Sequence, residues 1–278
     1  MVRMESLPIS VIIITKTAEA TIRDCLDSVR SNSPAEIIVV DGLSSDRTVE
    51  IARGYTDRIY SDGGKGLACA RQLGAEEARQ EYIAYVDSDV VLTEGVLATM
   101  LAEFQSSGDI SISAHILPGT KNQNYWGWAS HQHNEYSVLR RHQQYLATMA
   151  CLLRRETIIK YRFDTSGYID DTILELKLKK ENYRLGASSA IAYHNQRTSF
   201  KSVVSYRFFL GSLTSSLIIK YGPWHAEYWP PVVMLYWLAF CVVKGKPQLI
   251  PYFVVNGIAW TAGMVKGFFE LLWRGRQG

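Results

Sequence analysis

The residues best suited to chemistry in this chain are carboxylates that follow apolar runs. Val86-Asp87-Ser88-Asp89 closes the run that begins at Tyr82, and Asp41 closes Glu36-Ile-Ile-Val-Val40. Two carboxylates one residue apart point to opposite faces of a continuing strand, but where the backbone turns at a strand end both can serve one site. Such a pair suits Mg2+ or Mn2+, hard cations that prefer oxygen ligands and often share a substrate's phosphates. Taken alone, Asp-x-Asp reads more simply as a solvated turn. Farther along, Asp170-Asp171 opens a helical pattern. A carboxylate at a helix start is held by backbone N–H groups and can serve as a general base, or it can merely cap the helix. His194 and Arg197 follow the apolar segment Ala190-Ile-Ala-Tyr193. A neutral imidazole can complete a metal's coordination and a guanidinium can grip a diphosphate, although a lone histidine is as often structural.

These residues need a frame, and the pattern of apolar residues supplies one. Ser10–Ile14, Glu36–Val40, Arg58–Tyr60 and Tyr82–Val86 read as strands. Between them, Ala20–Val29 places Ile22, Cys25, Leu26 and Val29 at helical spacing; Asp46–Ala52 and Gly66–Arg79 give two more helices. This β-α-β-α order with fully apolar strands predicts an α/β fold: a mostly parallel sheet with helices on both faces, ligands gathering at the strands' carboxyl ends. Past residue 110 the spacing predicts a strand over 110–120, a polar and aromatic helix within 121–146 with His131, His133 and His142 on a solvated or membrane-facing side, a buried strand over 148–153 and a helix over 171–180.

Several of these segments together resemble one family. In chain order they are Ser10-Val-Ile-Ile-Ile-Thr15, Glu19-Ala-Thr-Ile22, Ile37-Ile-Val-Val-Asp41-Gly-Leu-Ser-Ser-Asp46-Arg-Thr48, Gly64-Lys-Gly-Leu-Ala-Cys-Ala-Arg71-Gln-Leu-Gly74 and Tyr82-Ile-Ala-Tyr-Val-Asp87-Ser-Asp89. They resemble the nucleotide-sugar-binding half of family 2 glycosyltransferases, which have the Rossmann-like GT-A fold. The resemblance implies an inverting, divalent-metal-dependent transferase. It implies that Asp41 and Thr15 meet the donor base, that Arg71 meets the base or phosphates, that Asp87 lies near ribose and metal, and that Asp89 is the more direct metal ligand. Lys65, between two glycines, sits where small residues let a ligand approach. Phe163-Asp164, Gly167, Asp170-Asp171 and Tyr183-Arg184 echo the family's acceptor segment, which implies Asp171 as base with Asp170 as the fallback; His194 joins the metal and Arg197 the substrate. The family's Pro-Thr-Tyr-Asn-Glu opening reads Ile14-Thr15-Lys16-Thr17-Ala18 here, with Glu19 standing in for the missing acid. Uridine is preferred over guanosine as the donor base. Asp46 is expected to cap a helix.

Charge and apolar content then separate the chain's two ends. The 278 residues carry a net charge of +3, and residues 222–278 hold five basic against two acidic groups, leaving the first 221 residues neutral. That distribution argues against nucleic acid as a partner, because phosphate recognition calls for a basic face. Five of the seven tryptophans also lie in this tail. Phe200–Ile219 reads as an interfacial amphipathic helix. Tyr228–Val243 and Pro247–Val265 are uncharged runs of 16 and 19 residues, roughly 24 and 28 Å as helices against a hydrocarbon core of about 30 Å. They predict a membrane-associated hairpin, spanning or interfacial, with a buried helical subdomain as the plainer alternative. The expected organisation is a GT-A domain over 1–199, with a donor half about 9–120 and an acceptor half 121–199, followed by helices over 200–278. The expected setting is the cytoplasmic face of the cell membrane with a lipid-linked acceptor, either a polyprenyl phosphate or a lipid-linked glycan. Four scattered cysteines with no CxxC pair fit a reducing compartment, and the first apolar run, six residues long, is too short for a signal peptide. Two other classes stay open: a nucleotidyltransferase, which calls for a glycine-rich basic loop after the first strand, and a catalytically silent membrane scaffold.

Overall fold

The computed structural model describes residues 6–119, 124–140, 145–165, 170–195, 199–221 and 229–274. They fall into two compact units, one of residues 1–120 and 135–195, the other of residues 121–134 and 196–278.

The first unit is built on β1 (Leu7–Thr15), which is buried on both faces. Ile9, Val11 and Ile13 pack against Ile22, Cys25, Leu26 and Val29 of α1 (Ile22–Ser31), α2 (Thr48–Ala52) and α4 (Val96–Ser107). Ile12 and Ile14 face the other way, onto α3 (Leu67–Glu77), α6 (Arg155–Tyr161) and α7 (Asp170–Lys180). Alternation along one strand thus feeds two helical layers, each fully buried Ile or Val contributing about 1.5–3 kcal/mol. At Gly74 a Cβ would run into Ile12 Cγ2, so α3 lies on the sheet only because that residue has no side chain.

The sheet has eight strands in the order β3-β2-β1-β4-β7-β6-β8-β5. β2 (Pro34–Asp41), β3 (Ile59–Ser61) and β4 (Tyr82–Asp87) run parallel with β1, as the β-α-β pattern predicts. The rest corrects the mostly parallel expectation. β7 (Ala150–Arg154) is antiparallel to both β4 and β6 (Ser111–Pro118); β8 (Leu185–His194) is parallel to β6; and β5 (Val90–Leu92) is antiparallel to β8. Strand direction is set by which element the chain returns to, and apolar content carries no sign of it.

The second unit is helical: the first part of α5 (Tyr125–Arg140), α8 (Phe200–Tyr221), α9 (Pro230–Val243) and α10 (Ile250–Arg274). α8 and α10 approach backbone to backbone. A Cβ on Gly211 would strike the Trp260 carbonyl oxygen, and one on Gly263 the Phe208 carbonyl oxygen. His133 corrects the solvated-helix expectation. Its ring is packed edge-on by Trp237, Tyr252 and Phe253, and its Nδ1 lies 2.9 Å from Arg207 Nη2. His142 lies outside the described residues.

No described helix is long and apolar enough to cross a membrane. α9 has 14 residues, about 21 Å at 1.5 Å each, and α10 carries a Lys266–Glu270 ion pair. Of the two forms expected for the tail, the spanning one therefore finds no helix to carry it. What the helices do show is exposed apolar side chains: Val232, Leu235, Tyr236, Val242 and Val243 on α9, and Ile258, Val265, Phe269, Leu272 and Trp273 on α10.

Candidate active site

Three parallel strands end in one row. Thr15 pairs in register with Asp41, and Ile14 with Asp87, so the last residues of β1, β2 and β4 share one edge of the sheet. Thr15 is buried, and its Oγ1 has no hydrogen-bond partner among the described residues. A buried hydroxyl left this way costs free energy until something fills its site. Asp41 is also buried. Its carboxylate accepts from Ser44 Oγ (2.5 Å) and Ser44 N–H (3.0 Å), which fastens the turn after β2. Within that turn Leu43 holds φ +63° and stays exposed, a left-handed conformation that costs a branched residue energy.

The loop ahead of α3 is organised by Asp62, a residue the sequence reading passed over. Its buried carboxylate accepts from Gly64 N–H (2.7 Å) and Gly66 N–H (2.9 Å), while Gly63, Gly64 and Gly66 all have positive φ. Asp followed by Gly-Gly-x-Gly is the signal that marks such a turn. Lys65 stands exposed at the tip. Beyond it, Arg71 is buried, its Nη2 3.5 Å from Asp87 Oδ1, and its carbonyl accepts from Tyr85 O–H at 3.0 Å.

The chain turns after Asp87 and starts β5 at Val90, which pairs with His194. That pairing brings His194 Nε2 within 3.2 Å of Asp89 Oδ2. His194 is buried, whereas Asp87 and Asp89 are about one-third exposed. Under them lies Cys25, whose thiol burial pushes up, with the charges of Asp89 and Asp87 adding to it. Cys151 reports on a third carboxylate. Burial, helped by Asp87 and Asp171, pushes its thiol up to about 12, while Arg71 pulls the other way. Asp171 stands in the first turn of α7, whose Leu174 and Leu178 pack in the same cluster as Ile14 and Tyr85. Asp171 Oδ1 accepts from Thr172 N–H at 2.7 Å.

Other predicted residues are placed differently. Glu19 accepts from Arg47 N–H (3.2 Å), and its own N–H donates to Asp46 (3.0 Å), so it stitches the loops after β1 and β2 together. Asp46 accepts from Thr48 N–H at 3.1 Å but stands one residue ahead of the expected position, the N-cap of α2 being Arg47. The side chain of Asp170 and all of Arg197 lie outside the described residues.

The described residues contain no group of three or more His, Cys, Asp or Glu converged as a metal cage. Two part-exposed carboxylates are nonetheless the donor set that Mg2+ or Mn2+ uses when substrate phosphates and water complete the shell. The residues fit an ion held jointly with a diphosphate, with His194 bearing on Asp89.

A sheet covered on both faces, with carboxylates and a buried guanidinium gathered at its carboxyl edge, defines an α/β domain of the kind in which ligands gather at the strands' carboxyl ends. The chain belongs to glycosyl transferase family 2, whose family model matches residues 10–162, more than half of it. It is 31% identical over 127 residues to EpsH of Bacillus subtilis, covering 37% of that protein, and 34% identical over 91 residues to a cholesterol galactosyltransferase of Borreliella burgdorferi, covering 24%. The chain thus aligns with about a third of these relatives' length. Among solved structures it is similar to a mannosyltransferase of Pyrobaculum calidifontis in complex with GDP-mannose and Mn2+ (TM-score 0.69, 16% identity, 95% of this chain and 88% of that one). A second is glucosyl-3-phosphoglycerate synthase of Mycobacterium tuberculosis with Mg2+ and UDP (TM-score 0.55, 18% identity, 76% and 78%). At these identities the likeness shows the fold, a GT-A-like α/β architecture.

Proposed function

We propose that this protein is an inverting glycosyltransferase that moves a sugar from a nucleotide-sugar donor, UDP-linked rather than GDP-linked, to a lipid-linked acceptor at the cytoplasmic face of the cell membrane. The observation that carries the reading is the convergence of Thr15, Asp41, Arg71, Asp87, Asp89 and His194 at one edge of the sheet.

In this reading Thr15 and Asp41 meet the base, and Arg71, held by Asp87 and Tyr85, faces the diphosphate with a planar fork. Asp87 and Asp89 would hold a divalent ion, which when bound would supply charge neutralisation for the leaving diphosphate. His194 orients Asp89. Asp171 takes the proton of an acceptor hydroxyl as that oxygen bonds to the anomeric carbon and the carbon–diphosphate bond breaks. A polyprenyl phosphate acceptor is already an anion, and for it Asp171 need not act as base. The exposed apolar faces of α9 and α10 and the tail's surplus of basic residues support contact with an anionic lipid surface.

The test is an assay of the purified chain with radiolabelled UDP- and GDP-sugars, polyprenyl phosphate, lipid extract, and either Mn2+ or EDTA. Label entering the lipid fraction from UDP-sugars in a Mn2+-dependent way is expected. Transfer from GDP-sugars alone overturns the base preference, and no transfer under any condition overturns the function.

A further inference from the structure

Arg71 is followed by a residue whose side chain reaches the segment ahead of α7. Gln72 is buried, and both ends of its amide are engaged. Oε1 accepts from the backbone N–H of Phe163 at 3.1 Å, and Nε2 donates to Glu76 Oε1 at 2.9 Å. Glu76 in turn accepts from Arg162 Nη2 at 2.7 Å. Arg162 holds φ +47°, and its carbonyl and that of Tyr161 both accept from Lys177 Nζ, at 2.8 and 3.1 Å. Lys177 belongs to α7, the helix that begins at Asp170-Asp171. The side chain of Phe163 closes the circuit, packing edge-on against Tyr85 at 5.7 Å, and the Tyr85 hydroxyl donates to the Arg71 carbonyl.

We propose that Gln72 is a positioning residue which, through the Phe163 N–H and the Glu76–Arg162–Lys177 chain, ties the helix bearing Asp171 to the helix bearing Arg71, so that donor binding sets where the acceptor's base stands. The inference rests on the transferase reading for its kinetics but not for its geometry. A core helix position facing apolar neighbours ordinarily takes an apolar residue; a glutamine here meets a backbone donor that no apolar side chain can satisfy. Because Arg71 and Gln72 are consecutive on α3, a shift of that turn of the helix on binding a diphosphate moves the guanidinium and the brace together. Catalysis is sensitive to displacements of this size, since a 1 Å misplacement can cost about 100-fold in rate.

The experiment compares the wild-type chain with Gln72→Leu, Gln72→Asn and the exchange pair Gln72→Glu with Glu76→Gln, which keeps an acceptor for Phe163 N–H and a donor at residue 76. Hydrogen exchange is followed with and without UDP and Mn2+, alongside UDP affinity, sugar transfer, and hydrolysis of the donor by water. In the wild type UDP is expected to slow exchange over residues 162–165 and the first turn of α7. Gln72→Leu and Gln72→Asn lose that protection, and transfer falls about 10- to 100-fold while UDP affinity and donor hydrolysis stay within about twofold. The exchange pair recovers both. If Gln72→Leu fails to fold, Gln72→Asn carries the comparison. Undiminished UDP-linked protection in the variants, or parallel loss of UDP affinity and transfer, overturns the brace. A wild type that shows UDP-linked protection but transfers no sugar overturns the transferase reading and leaves the brace standing.

Discussion

The two units solve opposite problems with apolar residues. In the first, strands such as β1 spend every apolar side chain on one of two helical layers, and what reaches the carboxyl edge is polar and, Thr15 apart, tied: Asp41 to Ser44, Asp62 to two glycine N–H groups, Asp89 to His194. In the second, the glycines of α8 and α10 bring backbones together, leaving bulky apolar side chains on α9 and α10 facing outward. Val243 is 80% exposed and Leu235 63%. One unit hides most of its apolar surface; the other displays it. The lesson is that a single average composition covers a polar edge at the strand ends and an exposed apolar surface.

That contrast can be broken at its strongest point first. Asp89→Asn should lower sugar transfer about 1,000-fold, close to 4 kcal/mol of transition-state stabilisation, with an unchanged circular dichroism spectrum; transfer within tenfold of wild type contradicts the role given to the edge. Next in size, Gly263→Leu should destabilise the helical unit by about 3 kcal/mol through collision with the Phe208 backbone. Thermal unfolding measures it, and an unaltered transition means that α8 and α10 do not pack so closely. Val243→Asp, at an exposed position, should leave stability as it is and weaken flotation with phosphatidylglycerol vesicles about tenfold. Equal flotation removes the apolar face from membrane contact.

The smallest effect concerns acid. Burial, with the charge of Arg207 second, holds the His133 imidazole well below its ordinary value of 6.5. The unfolded chain therefore binds a proton that the native chain refuses as pH falls below about 6.5, and stability declines over that window by at most about 1.4 kcal/mol per pH unit. In urea melts at pH 7, 6 and 5, His133→Asn should remove this part of the slope. An unchanged slope would mean that His133 is free to protonate in the folded chain.

Much of the donor side was legible from the chain alone, because each part of it is a local signal: an apolar run that stops at a carboxylate, a glycine-rich loop, a helical spacing. Asp41, Arg71, Asp87 and Asp89 all fall where those signals put them. Gln72 was not legible. It acts on Phe163, ninety-one residues away and brought near by folding, and a glutamine inside a helix has no distinguishing neighbour in sequence. His133 was misread for the same reason: a polar residue on a polar helix becomes half-buried among aromatic rings only when α9 and α10 supply Trp237 and Phe253.

The sequence by itself determined the α/β alternation, the carboxylates at strand ends and the apolar tail, since backbone geometry converts residue period directly into strands and helices. Tertiary structure alone decided that β5 returns beside β8, that β7 enters the sheet antiparallel, and that His194 reaches Asp89 at the strands' carboxyl edge. Those outcomes depend on which distant strands and helices cover one another's apolar faces, a choice made by packing the whole chain at once.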